Sequence, residues 1–181
     1  MTEISFFSGQ LAVVLGWILW RVGAWIRSGN LQWKREAALL IFLINLLVIY
    51  RMTFHPFSKV NGQVQPLIFD PAAMWPFRVN LIPFVNLMDY DSKRDLLLNI
   101  IGNFAMFIPT GVVVPLLWKN RNSWGQVLRT GFGISLAIEI LQLPFAVRAS
   151  DVDDLILNTA GCLAGYGIYR LFLRLLVIFA E

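Results

Sequence analysis

The chain has 181 residues, of which 57% are hydrophobic and 14% charged, and its formal net charge is +4. A soluble domain of this length needs a more strongly charged surface, so we predict an all-α, polytopic transmembrane helix bundle with a single membrane domain over residues 1–181. Its lysines and arginines are spread over predicted loops, which argues against nucleic acid as a partner.

Five apolar stretches are predicted to span the membrane, because a bilayer core takes about 20 residues of helix. They cover approximately residues 4–20, 37–54, 96–118, 125–145 and 154–179. The first stretch lacks a basic segment before it and a clear cleavage site, so we interpret it as a retained helix rather than a signal peptide. Lys and Arg are more frequent on the side of the first loop, which predicts an outside N-terminus and a cytoplasmic C-terminus.

The long loop between the second and third helices, about residues 54–94, is predicted to carry a re-entrant or interfacial segment. It contains five prolines, which disfavour a regular spanning helix, and an apolar stretch over residues 74–84. The aromatic rings of Trp75, Phe77 and Phe84 suit the headgroup layer of a membrane. The alternative is an unstructured loop outside the membrane.

The single cysteine and the single histidine restrict the cofactor chemistry. Cys162 alone forms neither an intrachain disulfide nor a cysteine-based zinc site, and His55 alone cannot build a multi-histidine metal site. The chain shows no zinc, haem or nucleotide motif.

Polar side chains are predicted to converge at one membrane surface. The third helix begins on the side where the fourth ends and the fifth begins, and its polar residues are spaced to share one helix face, as are those of the other two. Polar groups are costly in hydrocarbon, so they are expected to face each other or a wet cavity. The residues of these three faces are Asn99, Asn103, Ser135, Glu139, Gln142, Asp154 and Asn158. Gly161 and Gly165, and on the fourth helix Gly131 and Gly133, are predicted to permit close packing.

Several kinds of chemistry fit this cluster. Glu139 in an apolar segment resists ionisation unless it is paired, which suits proton exchange with Asp154 as its catalytic companion. The carboxylates, including those of Asp151 and Asp153, and the amide oxygens are compatible with Mg²⁺ or Ca²⁺. An anion would instead be bound by Arg78 and Arg148, beside two helix N-termini. The predicted binding residues are Arg78, Asn80, Asn99, Asn103, Gln142, Arg148, Asp151, Asp153 and Asn158.

Structural roles are the alternative for the same residues. Asp151 and Asp154 could simply cap the fifth helix and Asp95 the third, and the asparagines could serve only as hydrogen bonds between helices. Glu139, close to Pro144, has no evident structural need, which favours a functional role for it.

The order of these motifs resembles the VanZ-like family of small bacterial membrane proteins, over about residues 74–167. The motifs are RVNLIPF (78–84), LNIIGN (98–103), FIPTG (107–111), EILQ (139–142) and DVDDLILNTAG (151–161), with Arg148 before the last. Each is weak alone, but their combination is specific. One departure is Thr110, where the family usually has an apolar residue. The resemblance implies a role in the bacterial cytoplasmic membrane and cell envelope, associated with teicoplanin resistance that leaves the dipeptide end of the peptidoglycan precursor unaltered.

Three functions follow as hypotheses. In the first, an outer-leaflet polar pocket binds or modifies a lipid-linked anionic headgroup, on a membrane lipid or a lipid-linked cell-wall precursor, so that a glycopeptide antibiotic is involved only indirectly. In the second, the protein is a proton-coupled lipid transporter or flippase in which Glu139 carries the proton, although no inverted repeat supports this. In the third, it is a non-catalytic partner or antibiotic-excluding surface, formed by the tryptophans and the apolar loop.

Overall fold

The computed structural model describes residues 2–55, 59–60, 63–64, 66–75, 78–85, 92–145 and 149–178. Five helices dominate this part of the chain, which confirms the predicted all-α helical fold. They are α1 (Phe6–Ser28), α2 (Trp33–Phe54), α3 (Lys93–Leu117), α4 (Trp124–Gln142) and α5 (Val152–Ile178). The strands are β1 (Thr2–Ile4), β2 (Lys59–Val60), β3 (Gln63–Val64), β4 (Leu67–Phe69), β5 (Val79–Asn80) and β6 (Ser150–Asp151).

The chain folds as two compact units. The first contains residues 1–77 and 143–148, and the second contains residues 78–142 and 149–181. In the described ranges, α1, α2, α3 and α5 have the length and hydropathy of membrane spans. The 19-residue α4 coincides with the fourth predicted stretch but is not among these four helices.

In the first unit, α1 and α2 form a helical hairpin, and β1 pairs antiparallel with β4. The structure extends α1 to Ser28, whereas the sequence predicted an end near residue 20. The reason is that Arg21, which we took as the end of the span, is buried and paired with Glu36 of α2. A charge that looked like a helix end is therefore neutralised inside the hairpin.

The predicted interfacial loop contains regular structure in both units. A β2–β3 hairpin and β4 precede a 3-10 turn over Pro71–Met74, which begins at Asp70 with its side chain accepting a hydrogen bond from the Ala72 N–H. In the second unit, β5 pairs in parallel with β6. Of the three aromatic residues predicted for the headgroup layer, Phe77 lies outside the described residues, whereas Trp75 and Phe84 are exposed.

In the second unit, α3 and α5 pack backbone against backbone through glycines. A Cβ atom on Gly161 would lie 1.9 Å from the Phe104 carbonyl oxygen, and one on Gly165 would lie 2.0 Å from that of Ile108. A Cβ atom on Gly111 of α3 would lie equally close to the Cys162 carbonyl oxygen, at 1.9 Å. The predicted small-residue packing is therefore present at Gly161 and Gly165.

The fourth helix packs against α5 in the same unit, but through only one of its two predicted glycines. A Cβ atom on Gly131 would lie 2.7 Å from the Cys162 Cβ, whereas one on Gly133 would meet nothing within 4 Å. Gly133 faces away from the helix contact, so the prediction that it permits close packing is wrong.

We predict that Gly165→Ala destabilises the protein while Gly133→Ala does not. Both substitutions add one methyl group to a helix, but only the first places it against a backbone oxygen that has no side-chain freedom to move. The expected loss for Gly165→Ala is about 1–3 kcal/mol, the usual cost of overpacking. Thermal unfolding of the purified protein in detergent measures it. Equal melting temperatures for the two variants would contradict the close α3–α5 contact.

Candidate functional site

The start of α3, the end of α4 and the start of α5 lie together in the second unit. Hydrogen bonds connect these ends directly, and α4 runs antiparallel to α5, with Ser135 opposite Asn158 and Glu139 opposite the chain just before α5. We call the side chains that meet here the polar cluster. Its members are Asn99, Asn103, Ser135, Glu139, Asp154 and Asn158.

The contact between α3 and α5 in the polar cluster is made by Asn103 and Asp154. The Asn103 side-chain amide donates to the Asp154 carboxylate, and its Nδ2 lies 3.5 Å from the Asn99 Oδ1. Asn99 and Asn103 therefore share one face of α3, as their spacing predicted. An amide held by a carboxylate keeps both groups paired in an otherwise apolar helix contact.

Asn158 lies at the centre of the α4–α5 contact and is only 1% exposed. Its Nδ2 donates to the Ser135 Oγ at 2.9 Å. Its Oδ1 is buried and accepts no hydrogen bond within the described part of the chain. A buried acceptor in this state costs about 1–3 kcal/mol. Such an atom in a polar cluster marks a position where a donor is missing.

Glu139 occupies the last turn of α4 and is 7% exposed. Its Oε2 accepts a hydrogen bond from the Asp151 backbone N–H at 3.0 Å, and its own carbonyl accepts one from the Ser150 hydroxyl at 2.8 Å. The carboxyl group is thus oriented by β6. Gln142, one turn further along the same face, is also buried. Glu139 has a structural contact that the sequence alone did not suggest.

The segment from Arg78 to Val85, which we call the β5 loop, is attached to the start of α5. The Ser150 N–H donates to the Arg78 carbonyl at 3.0 Å, and the Asn80 Nδ2 donates to the Asp151 Oδ1 at 3.1 Å. Asp151 also accepts the N–H of Asp153 at 2.9 Å. Asp151 therefore caps α5, which is the structural role considered for it in the sequence analysis. The same side chain also attaches the β5 loop to this helix.

Asp153 makes the second attachment of the β5 loop. Both of its carboxylate oxygens accept the Phe84 N–H, at 2.9 and 3.1 Å. Phe84 has φ of 65°, a left-handed conformation that is unusual for a bulky residue. Strain of this kind persists only where neighbouring contacts impose it, and here the buried Asp153 carboxylate is that contact.

Beyond Arg78, the outer surface of the β5 loop is largely apolar. Its exposed large side chains are those of Val79, Leu81, Ile82, Phe84 and Val85. They stand beside the buried polar groups at the start of α5 because Asp151 and Asp153 fix the loop there. An exposed apolar patch of this kind is typical of a surface that contacts a membrane or another molecule.

The helix N-termini predicted to attract an anion are occupied by the chain's own side chains. At α3, the Ser92 Oγ accepts the Asp95 N–H at 3.1 Å and donates to the Asp95 carboxylate at 2.7 Å. Ser92, rather than Asp95, is the N-terminal cap of that helix. At α5, Asp151 fills the corresponding position. An anion would therefore depend on the arginines.

Most of the predicted site residues meet in this region. Arg78 is exposed and joins the site through its carbonyl group, whereas Arg148 lies outside the described residues. The residues brought together by the hydrogen bonds above are Asn80, Asn99, Asn103, Glu139, Asp151, Asp153, Asp154 and Asn158. No group of three or more His, Cys, Asp or Glu side chains in the described ranges is arranged to hold a metal ion.

Two contacts of the site were missed from the sequence. Ser150 had no predicted role, yet its hydroxyl fixes the end of α4 through the Glu139 carbonyl. The Phe84 amide was also unforeseen, although the proline before it indicated a turn. Both groups act as donors, the Ser150 hydroxyl to the Glu139 carbonyl and the Phe84 N–H to the Asp153 carboxylate.

Comparison with known proteins identifies the family. A family model described as VanZ/LLP1 matches residues 39–173, which include most of α2, the helices α3 and α4, the β5 loop and the whole polar cluster. The chain is 30% identical over 137 residues to Protein VanZ of Enterococcus faecium, which covers 74% of this chain and 71% of that protein. No solved structure matches the chain. With four helices in the described ranges long and apolar enough to span a bilayer, the chain is a multi-pass membrane protein that belongs to the VanZ/LLP1 family.

Proposed function

We propose that this protein protects the cell envelope against glycopeptide antibiotics such as teicoplanin by binding or modifying a lipid-linked anionic headgroup at its polar cluster. The observation that supports this most directly is the buried Asn158 Oδ1, an acceptor with no donor among the described residues. A headgroup hydroxyl is a donor of the required kind. The resistance role is supported by the relative named Protein VanZ, because resemblance to the VanZ-like family is what implied an association with teicoplanin resistance.

The charge distribution sets how such a headgroup would lie. The Asp154 carboxylate in the interior disfavours a phosphate there, since like charges repel in a medium of low polarity. Among the described residues of the site, Arg78 on the exposed side of the β5 loop carries a guanidinium group, which suits a phosphate. The headgroup would therefore bind with its phosphate at Arg78 and its hydroxyl groups directed into the polar cluster. Glu139 would then act as acid, base or ligand to the headgroup, with Asp154 and Asn103 orienting it.

The first test compares Glu139→Gln and Arg78→Ala in a host in which the parent protein lowers teicoplanin susceptibility. The amide that replaces the Glu139 carboxyl group keeps an oxygen that can accept the Asp151 N–H, so folding is preserved while the carboxyl chemistry is lost. We expect Glu139→Gln to abolish protection. Arg78→Ala should weaken headgroup binding by about tenfold, the loss of one charge-assisted hydrogen bond.

The matched control for Arg78→Ala is Arg94→Ala, which removes the same charge from an exposed position at the start of α3. Membrane levels of all variants are checked by immunoblotting. Full protection by both Glu139→Gln and Arg78→Ala at parental membrane levels would reject the polar cluster as the working part of the protein.

A second test distinguishes a functional role of Asn158 from a role in interhelical hydrogen bonding alone. Leu has a similar volume and removes the unsatisfied acceptor, which offsets the lost hydrogen bond to the Ser135 Oγ. The free energy of unfolding of Asn158→Leu is therefore expected to stay within about 1 kcal/mol of that of the parent protein. The substitution should nevertheless abolish protection. Loss of stability instead of function would assign Asn158 to interhelical hydrogen bonding alone, through its contact with Ser135. Thermal unfolding in detergent and susceptibility testing of the same variant distinguish the two.

The apolar surface of the β5 loop favours a second candidate function, a non-catalytic surface that binds a partner or excludes the antibiotic. In that case the double variant Leu81→Ser/Ile82→Ser would reduce protection more than Glu139→Gln does, because these two side chains are highly exposed. The same susceptibility measurement ranks the variants. Under the headgroup proposal we expect the opposite order.

The transporter alternative has a separate readout. Vesicles containing the purified protein would move a labelled lipid in response to a pH gradient, and Glu139→Gln would stop that movement. Headgroup binding without such movement favours the first proposal.

A further inference from the structure

The turn between α1 and α2 forms a partly open cavity that the polar cluster does not use. Its volume is about 290 Å³, and six of its lining residues are polar or charged. Ligand cavities usually start at about 300 Å³, so this one suits a small polar group rather than a large molecule. Those six residues are Arg21, Ser28, Asn30, Gln32, Arg35 and Glu36. All lie before residue 39, where the match to the family begins.

One wall of the cavity is a partly buried ion pair that is held by two hydrogen bonds. The Arg21 Nε and Nη2 donate to the two carboxylate oxygens of Glu36, at 3.1 and 2.5 Å. Arg21 is 9% exposed, and its guanidinium carbon lies 5.1 Å from the ring centre of Trp20 and 5.6 Å from that of Trp25. This pair neutralises the charge of Glu36. Because a guanidinium has five N–H groups, Arg21 retains N–H groups that can donate to another acceptor.

The cavity therefore retains a positive charge and several donors. Arg35 brings a second guanidinium to the lining, and the Asn30 and Gln32 amides add uncharged donors. Gln32 precedes the first turn of α2 but makes no side-chain cap, so it leaves the amides of that turn without a side-chain acceptor. Two arginines, amide donors and an uncapped helix start together form a site for an oxygen-rich anion.

The position of the cavity indicates the source of that anion. The cavity lies where α1 ends and α2 begins, and both helices are apolar. Three exposed tryptophans at the same end of the hairpin, Trp20, Trp25 and Trp33, indicate the level of a membrane surface. Below it, the apolar side chains of α1 are almost entirely uncovered within the structure, so acyl chains can lie along them. We propose that this cavity binds the phosphate headgroup of an anionic membrane lipid such as phosphatidylglycerol.

The test measures lipid retention on the full chain. The protein is reconstituted in nanodiscs of phosphatidylcholine with a minor fraction of phosphatidylglycerol, released into detergent, and weighed by native mass spectrometry. Arg35→Gln is compared with Arg27→Gln, which removes the same charge from an exposed position in the last turn of α1 that does not line the cavity. Arg35→Gln should lower the retained ratio of phosphatidylglycerol to phosphatidylcholine by about tenfold. Arg27→Gln should change it by less than about twofold.

Other outcomes of this experiment overturn the proposal. Equal losses in the two variants mean diffuse attraction to basic residues rather than a built site. A second arm adds inorganic phosphate to protein in phosphatidylcholine alone. A phosphate adduct that depends on Arg35, without retained phosphatidylglycerol in the first arm, rejects a lipid as the ligand. If Arg35→Gln fails to fold, Gln32→Ala removes a lining amide without changing charge, and unchanged retention in that variant refutes the site.

Discussion

The close approach of α3 and α5 is the constraint on which the rest of the second unit depends. At Gly161 and Gly165 the two backbones come so near that a single methyl group would overlap a carbonyl oxygen. This separation brings the Asn103 amide into hydrogen-bond contact with Asp154. A wider separation would leave a carboxylate and an amide without each other inside an apolar helix pair, where neither is tolerated alone.

With that pair in place, the other elements attach through groups that the start of α5 presents. Asp151, Asp153 and Asp154 lie at its N-terminal end, where negative charge is favourable to the helix dipole. Asp151 and Asp153 hold the β5 loop, and Glu139 binds the backbone N–H of Asp151. Much of the acidic character of this region is thus explained by assembly of the fold. The Asn158 side-chain carbonyl is different, because no contact in the described residues accounts for it.

Helix spacing and connectivity were sufficient to predict that side chains of α3, α4 and α5 meet, but partners that are distant in the chain were not predictable. Four-residue spacing places Asn99 and Asn103 on one face without any need for coordinates. Arg21, in contrast, indicates the end of a span until its pairing across the turn with Glu36 is known. The left-handed conformation of Phe84 likewise contradicts its local preference and is imposed by a carboxylate almost seventy positions away. Residue spacing therefore predicts which side chains share a helix face, whereas the partners of those side chains depend on residues that are distant in the chain.

The unsatisfied Asn158 Oδ1, rather than the charges of the polar cluster, is the energetic feature that the described contacts leave unexplained. Membrane helices can replace an interhelical amide by an apolar side chain of equal volume at little cost, since packing supplies most of their association. A buried carbonyl without a donor subtracts about 1–3 kcal/mol from a total stability of roughly 5–15 kcal/mol. Asn158 bears that cost although its contact with Ser135 returns only one neutral hydrogen bond, worth about 1 kcal/mol. The net balance at Asn158 is therefore unfavourable within the described residues, and a donor from the proposed ligand would make it favourable.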